Sequence, residues 1–282
     1  MEIQNIYIIG AGLMGRGIAQ NAIQSGFNVV LTDTNLNQLE NSRKGIEDRL
    51  NKEVAKGRLA AEGMAECLGR LSIAVDYSDL QNSDLIIEAI YENFDAKTNI
   101  YRTIEPLCKE GAIIASNTSS ISITALSAAI QNKARFIGMH FFSPVPVMKL
   151  LEIISGLETA PETVETIKEV GQKLGKTAIV SRDSPGFIVN RLLIPMINEA
   201  IVLLDEGVGS AADIDNGMKL GCNHPVGPLE LADMIGLDIV LAIIEMLYKQ
   251  LGDPKYRPAF LLRKMVSAGL LGKKSGRGFY TY

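Results

Sequence analysis

Histidine and cysteine are scarce in this chain: two and three among 282 residues. His140 and His224 lie far apart, and Cys67, Cys108 and Cys222 form neither a CxxC pair nor a zinc-ligand spacing. No metal-centred catalyst is expected, and the simplest setting is a reducing, cytoplasmic one. No stretch approaches the ~18 uninterrupted apolar residues of a membrane span. A strand-like segment begins almost at the N-terminus and is expected to leave no room for a leader peptide. Charge of either sign is not in excess. A net −4 gives no general attraction to nucleic acid or to an anionic membrane. The G-x-S-x-G elbow of serine hydrolases is missing as well. With 47% apolar and 21% charged residues, the composition is that of an ordinary globular enzyme, long enough for one large or two medium domains.

The richest stretch is the first 33 residues. An apolar run over residues 3–9 reads as a buried strand and is followed at once by Gly10-Ala11-Gly12-Leu13-Met14-Gly15. A helix is expected over residues 14–25 and a second strand over 27–32, ending at Asp33. This is G-x-G-x-x-G in the context its chemistry requires. Gly10 allows the turn, and Gly12 lets the backbone approach a pyrophosphate at the amide-rich end of the helix. Gly15 permits close helix–strand packing. Asp33 stands 18 residues beyond Gly15, near the distance at which a carboxylate accepts hydrogen bonds from an adenosine ribose. The pattern predicts a dinucleotide, NAD or FAD, and usually an oxidoreductase. Asp33 favours NAD over its 2′-phosphorylated form, which the carboxylate would repel, although Arg43 or Lys44 would soften that preference.

Through about residue 182, strand-like runs (71–75, 84–89, 112–116, 136–140, 149–154 and 177–180) alternate with helical stretches. Residues 35–70 are long for a simple crossover and read as two helices inserted into the pattern, able to wall a substrate cleft. After residue 183 only helices are expected, near 187–206, 210–220, 228–234, 237–251 and 259–268, with Pro195 kinking the first. The switch predicts two domains, an α/β doubly wound (Rossmann-type) domain over 1–183 and an all-α domain over 184–282. The helices of the second carry more apolar surface than about a hundred residues can bury, which points to a homodimer.

Candidate chemistry gathers at strand ends. His140 closes residues 136–140, on the carboxyl side of an open parallel sheet, where ligands bind. Glu152 interrupts the apolar run Leu150-Leu151-Glu152-Ile153-Ile154, a position that is costly for an unpaired carboxylate. If the Pro144–Pro146 turn folds one strand back on the other, the two satisfy each other and Glu152 fixes the imidazole tautomer. The bland alternative is a hydrogen-bonded core histidine and an unrelated edge glutamate. Ser116-Asn117-Thr118-Ser119-Ser120 suits helix capping, or contact with a substrate hydroxyl or the nicotinamide ribose. Asn190, in an apolar helix start, needs a partner across an interface or on a ligand.

Seven blocks, taken in order, resemble the short-chain L-3-hydroxyacyl-CoA dehydrogenase family, including its bacterial 3-hydroxybutyryl-CoA dehydrogenases. They are the glycine-rich turn, Ile87–Asn93, Ser116–Ser120, His140–Lys149, Pro185–Arg191, Asn223–Asp233 and Gly272–Tyr280. The resemblance implies that His140 is the general base, with Glu152 its partner, and that Ser119 and Asn190 orient the substrate. It implies cofactor contacts from Glu92, Lys97, Ser119, Ser143 and Lys274, and CoA contacts from the 35–70 insertion, with Lys56 the best candidate and Arg49 a weaker one. Those two also suit a solvated helix face, and His224 suits a packing role. Ser143 stands where many relatives have asparagine, so its contact is expected to be weaker or water-mediated. The implied reaction is NAD-dependent interconversion of a (S)-3-hydroxyacyl-CoA, such as 3-hydroxybutyryl-CoA, and its 3-oxo thioester, as in butyrate metabolism. A dehydrogenase of a small free hydroxy acid and a non-catalytic NAD-binding protein are the competing readings.

Overall fold

The computed structural model describes residues 2–282. The chain forms two compact units, Met1–Ser184 and Pro185–Tyr282, an α/β Rossmann-type unit followed by an all-helical one.

The first unit is built on β1 (Asn5–Ile9), β2 (Asn28–Thr32), β3 (Leu71–Ala74), β4 (Leu85–Glu88), β5 (Ile113–Ser116), β6 (Phe136–Phe141), β7 (Leu150–Ser155) and β8 (Thr177–Arg182). They form one sheet in the order β3-β2-β1-β4-β5-β6-β7-β8, parallel except that β7 runs antiparallel to β6. Strands β4, β5 and β6 are buried at every residue, which explains their continuous apolar sequences: helices cover both faces of a parallel sheet. The edge strand β8 reads Thr-Ala-Ile-Val-Ser-Arg and is buried nowhere along its length. The chain order reverses between β1 and β4, so the crevice at their carboxyl ends is the topological switch point.

Helix α1 (Leu13–Gln24) follows β1, α2 (Leu36–Ala55) and α3 (Ala61–Gly69) fill the insertion, and α4 (Phe94–Ile104), α5 (Ile123–Ser127) and α6 (Pro161–Lys173) complete the crossovers. The Asn35 side chain caps α2 by accepting from the Gln38 amide at 3.3 Å. Leu39, Ser42, Ile46 and Leu50 recur at three and four residues and form its buried stripe. Leu39, Ile46 and Leu50 join the same core as Ile18 and Ile23 of α1 and Ile8 of β1. The insertion therefore lies on the sheet's helical layer and does not stand free of it. Shared apolar burial is the reason.

The helical unit contains α7 (Val189–Asp205), α8 (Ala211–Gly221), α9 (Pro228–Ile235), α10 (Leu237–Leu251) and α11 (Phe260–Ser267). Pro195 lies inside α7 without ending it. Leu237, Val240, Ile244 and Leu247 of α10 form a single stripe in a separate core with Ile194, Ile197 and Ile201 of α7 and Leu262 and Met265 of α11. Each such side chain contributes about 1.5–3 kcal/mol on burial.

Candidate active site

The site is organised by strand order. Asp33 follows β2, the glycine turn follows β1, Glu92 follows β4, Ser119 follows β5, and His140 lies at the carboxyl end of β6. Five neighbouring parallel strands present these residues on one edge in that order. Strand spacing of about 4.8 Å makes the edge roughly 19 Å from first to last, room for an elongated ligand.

The glycine turn is tight where packing demands it and open where a ligand would lie. A Cβ on Gly15 would come within 1.8 Å of the Gly10 carbonyl oxygen, and one on Gly10, whose φ is +104°, within 2.7 Å of the Ala89 oxygen. A Cβ on Gly12 would meet nothing within 4 Å. Gly12 is the N-cap of α1 and brings no side chain to the helix start, so the approach to its first turn is backbone alone. Leu13 and Met14 open that turn, and Leu13 is exposed. Asp33 lies on a cavity of about 600 Å³ lined by Gly10, Gly12, Thr34, Tyr77, Ile90 and Ile100, among others. Burial and then the Asp33 charge push the Tyr77 phenol upward. An open glycine cradle, a helix start and a carboxylate on an apolar-walled cavity fit the adenosine diphosphate half of NAD.

Between turn and histidine lies a buried charge network. Glu88 closes β4 with no exposure, and its carboxylate accepts from Lys97 Nζ at 2.6 Å, Tyr101 Oη at 2.6 Å, Ser116 Oγ at 2.8 Å and the Ile90 amide at 2.8 Å. Lys97 is itself 1% exposed and reaches Glu92 at 3.4 Å. Glu92 Oε1 in turn accepts from Thr118 Oγ1 at 2.5 Å, from the Ser119 and Ser120 amides at 3.1 Å, and from Ser120 Oγ at 2.9 Å. Burial alone would raise the Glu92 pKa. The Lys97 charge and these hydrogen bonds outweigh it and hold the group below the usual carboxylate range. Glu92 thus anchors the loop that carries Ser119, and Asn117 ties the same loop to β6 by accepting from the Phe141 amide at 3.0 Å.

His140 and Glu152 are directly opposite each other in the antiparallel register of β6 and β7. Opposed residues share a face with Cβ atoms about 5 Å apart, and Nδ1 of the imidazole lies 2.7 Å from Glu152 Oε2. Both are buried, Glu152 completely, and the Phe142 ring lies against the imidazole at 4.5 Å. The loop between the strands contains a cis Ser143–Pro144 bond. Lys176 fixes that loop by donating to the Val145 and Met148 carbonyls at 2.5 and 2.8 Å, and burial lowers its pKa. Ser143 is exposed on it.

In α2, Arg49 is half-buried and Lys56, at the C-cap, is exposed. Asn190 and Lys274 belong to the helical unit. Asn190 is buried in the first turn of α7, and Lys274 pairs with Asp238 at 2.6 Å. Glu88, Tyr101 and Lys176 were not singled out from the sequence, and Asn117 and Thr118 stood out only as members of the polar cluster over residues 116–120. Glu88 carried a usable signal, the one that marked Glu152: a carboxylate within an otherwise apolar strand.

Fold and edge define a dinucleotide-dependent oxidoreductase equipped with a histidine–glutamate pair. Residues 5–184 match the family model of the 3-hydroxyacyl-CoA dehydrogenase NAD-binding domain, and residues 186–282 match that of its C-terminal domain. A probable 3-hydroxybutyryl-CoA dehydrogenase of Bacillus subtilis is 49% identical over 100% of this chain and 98% of its own length. A similarly named protein of Deinococcus radiodurans is 52% identical over 98% of this chain and 99% of its own. The crystal structure of (S)-3-hydroxybutyryl-CoA dehydrogenase from Ralstonia eutropha superposes with a TM-score of 0.97 at 50% identity, covering 100% of this chain and 99% of that one. The chain belongs to the 3-hydroxyacyl-CoA dehydrogenase family, and its cofactor is NAD.

Proposed function

We propose that this enzyme interconverts (S)-3-hydroxybutyryl-CoA and acetoacetyl-CoA with NAD(H). The observation that carries the reading is the buried His140–Glu152 pair, in register at 2.7 Å on the edge that also holds the glycine turn. With Nδ1 engaged by the carboxylate, the proton exchanged with substrate moves at Nε2 of His140. In oxidation neutral His140 takes the C3 hydroxyl proton, and in reduction the imidazolium returns it to the ketone. Glu152 orients the ring and stabilises its charged form. Bound NAD supplies the hydride acceptor. Ser119 and Asn190 orient the substrate, while Glu92, Ser143 and Lys274 serve the cofactor side, and buried Lys97 acts there by holding Glu92.

Arg49 and Lys56 on α2, with the exposed Lys52 between them, supply positive charge for CoA phosphates and favour the thioester over a free hydroxy acid. No helix among the described residues is long and apolar enough to cross a membrane. The free thiols Cys67, Cys108 and Cys222 accord with a cytosolic setting. The helical unit exposes Leu192, Ile239 and Phe260 by 71%, 45% and 64%, and a groove of about 750 Å³ runs past Val202, Tyr248 and Phe260. A second copy covering this apolar surface makes a homodimer.

The decisive experiment is acetoacetyl-CoA-dependent oxidation of NADH, with NADPH and free acetoacetate in parallel. Rapid turnover with NADH and the thioester alone is expected. Equal turnover with free acetoacetate would remove the CoA assignment, and preference for NADPH would remove the role given to Asp33.

A further inference from the structure

The peptide groups on either side of Ala11 are held by three side chains from outside the glycine turn. The Ala11 amide donates to Asp33 Oδ2 at 2.9 Å. The Ala11 carbonyl accepts twice from α2, from Gln38 Nε2 at 2.9 Å and from Ser42 Oγ at 2.5 Å. Ser42 is 1% exposed and lies inside the helix, where a serine hydroxyl otherwise bonds its own preceding turn. Here it reaches across 31 residues of sequence to one carbonyl.

A planar trans peptide sets the direction of its N–H once its C=O is fixed, because the two point opposite ways. Pinning the Ala11 carbonyl toward α2 therefore aims the Gly12 N–H away from α2. Pinning the Ala11 amide on Asp33 likewise turns the Gly10 carbonyl away from Asp33, and Gly15 packs within Cβ-excluding distance of that carbonyl. Gly12 is also the position whose missing Cβ faces nothing within 4 Å. We propose that Ser42 and Gln38 are positioning residues for the cofactor's diphosphate, acting through the Ala11 peptide to preorganise the amide of Gly12. The proposal rests on the dinucleotide reading of the turn. Asp33 then has two tasks, ribose recognition and retention of the Ala11 amide. Replacing it with alanine to admit a 2′-phosphate would loosen the diphosphate site at the same time.

The test separates diphosphate from nucleoside. ADP, adenosine and NADH are titrated into the full-length protein as wild type, as Ser42→Ala and as Gln38→Ala, with Tm recorded for each. Alanine is the better helix former at position 42, so that variant keeps its helix. Losing one such hydrogen bond corresponds to on the order of three- to tenfold in affinity. Ser42→Ala is expected to weaken ADP and NADH by that factor and adenosine by less than twofold, with Gln38→Ala acting on ADP in the same direction. Equal weakening of ADP and adenosine would overturn the proposal, since the whole pocket would then have been disturbed. Unchanged ADP and NADH affinity in both variants would overturn it too. Failure of the wild type to bind ADP or NADH would instead sink the dinucleotide reading on which it stands.

Discussion

The sheet unit and the helical unit both bury carboxylates, and they satisfy them in different ways. In the sheet unit Glu88 and Glu152 face cationic or ionisable partners, Lys97 and His140. In the helical unit Asp215 accepts from the Leu229 and Glu230 amides and the Tyr280 hydroxyl at 2.8, 2.9 and 2.7 Å. Asp233 accepts from the Phe279 and Tyr280 amides at 3.0 and 2.9 Å and from Tyr282 Oη at 3.2 Å. Neutral donors hold these two acids as fasteners of the α9 start and of the C-terminal segment. Burial beside them, followed by hydrogen bonding to Asp215, pushes the Tyr280 phenol far above its usual value. A buried acid meeting N–H and O–H groups holds the chain together. One meeting an imidazole at a strand end fixes the orientation of that ring.

His140→Gln breaks the comparison at its functional end. A positioned acid–base group contributes roughly 10²- to 10⁴-fold in rate, so kcat should fall by that factor, about 3–5 kcal/mol in the barrier. NADH affinity measured by titration should stay within twofold. A large loss of NADH binding with little loss of kcat would move His140 out of the proton-transfer role.

Glu88→Gln should cost the next most, because it strands a charge. Lys97 would keep only Glu92, at 3.4 Å, as a carboxylate partner. Breaking a buried pair from one side costs about 3 kcal/mol or more, readable as a lower urea midpoint. Stability equal to wild type would show that Glu92 alone suffices for the Lys97 ammonium.

Asp233→Asn strands no charge, so the loss should be smaller, about 2 kcal/mol, and kcat of the folded protein should not change. A loss exceeding that of Glu88→Gln would invert the contrast between the units.

The smallest effect concerns pH. Burial would raise the Asp84 pKa, but the Lys109 ammonium and the Asn5 and Gln4 amides hold it below its usual 3.8. A depressed folded value means stabilisation that is complete above the unfolded pKa and lost as pH falls through the folded one. Asp84→Asn should therefore lower stability by about 1 kcal/mol at neutral pH and flatten the acid limb of the unfolding profile below pH ~4. An acid limb as steep as in wild type would remove Asp84 from the account.

Local sequence carried much of this molecule. The glycine turn, Asp33 and the two apolar strands around them are contiguous, and their chemistry depends on spacing within about thirty residues. The apolar stripe of α2 was visible as a period, and α10 matched its expected bounds of Leu237–Leu251. His140 and Glu152 were legible as candidates because each is chemically out of place in an apolar strand. Their pairing was conditional on a fold-back that only the β6–β7 register supplies.

Other features needed the fold. Glu88 and Lys97 are nine residues apart, but Ser116 comes from a different strand, so the network exists only where β4, β5 and α4 meet. Residues 35–70 read as two inserted helices of open placement, because periodicity gives a helix an apolar face without saying what covers it, and the shared core places α2 on α1. Ser42 lies in the buried stripe of α2, and only the fold shows that its partner is a carbonyl 31 residues away. What the sequence determined by itself was therefore everything set by short-range spacing: the strands, the helices, the nucleotide turn and the identity of the ionisable groups. What the tertiary structure decided was which buried polar groups meet. Hydrogen bonds and ion pairs act over about 3 Å in space and carry no memory of distance along the chain.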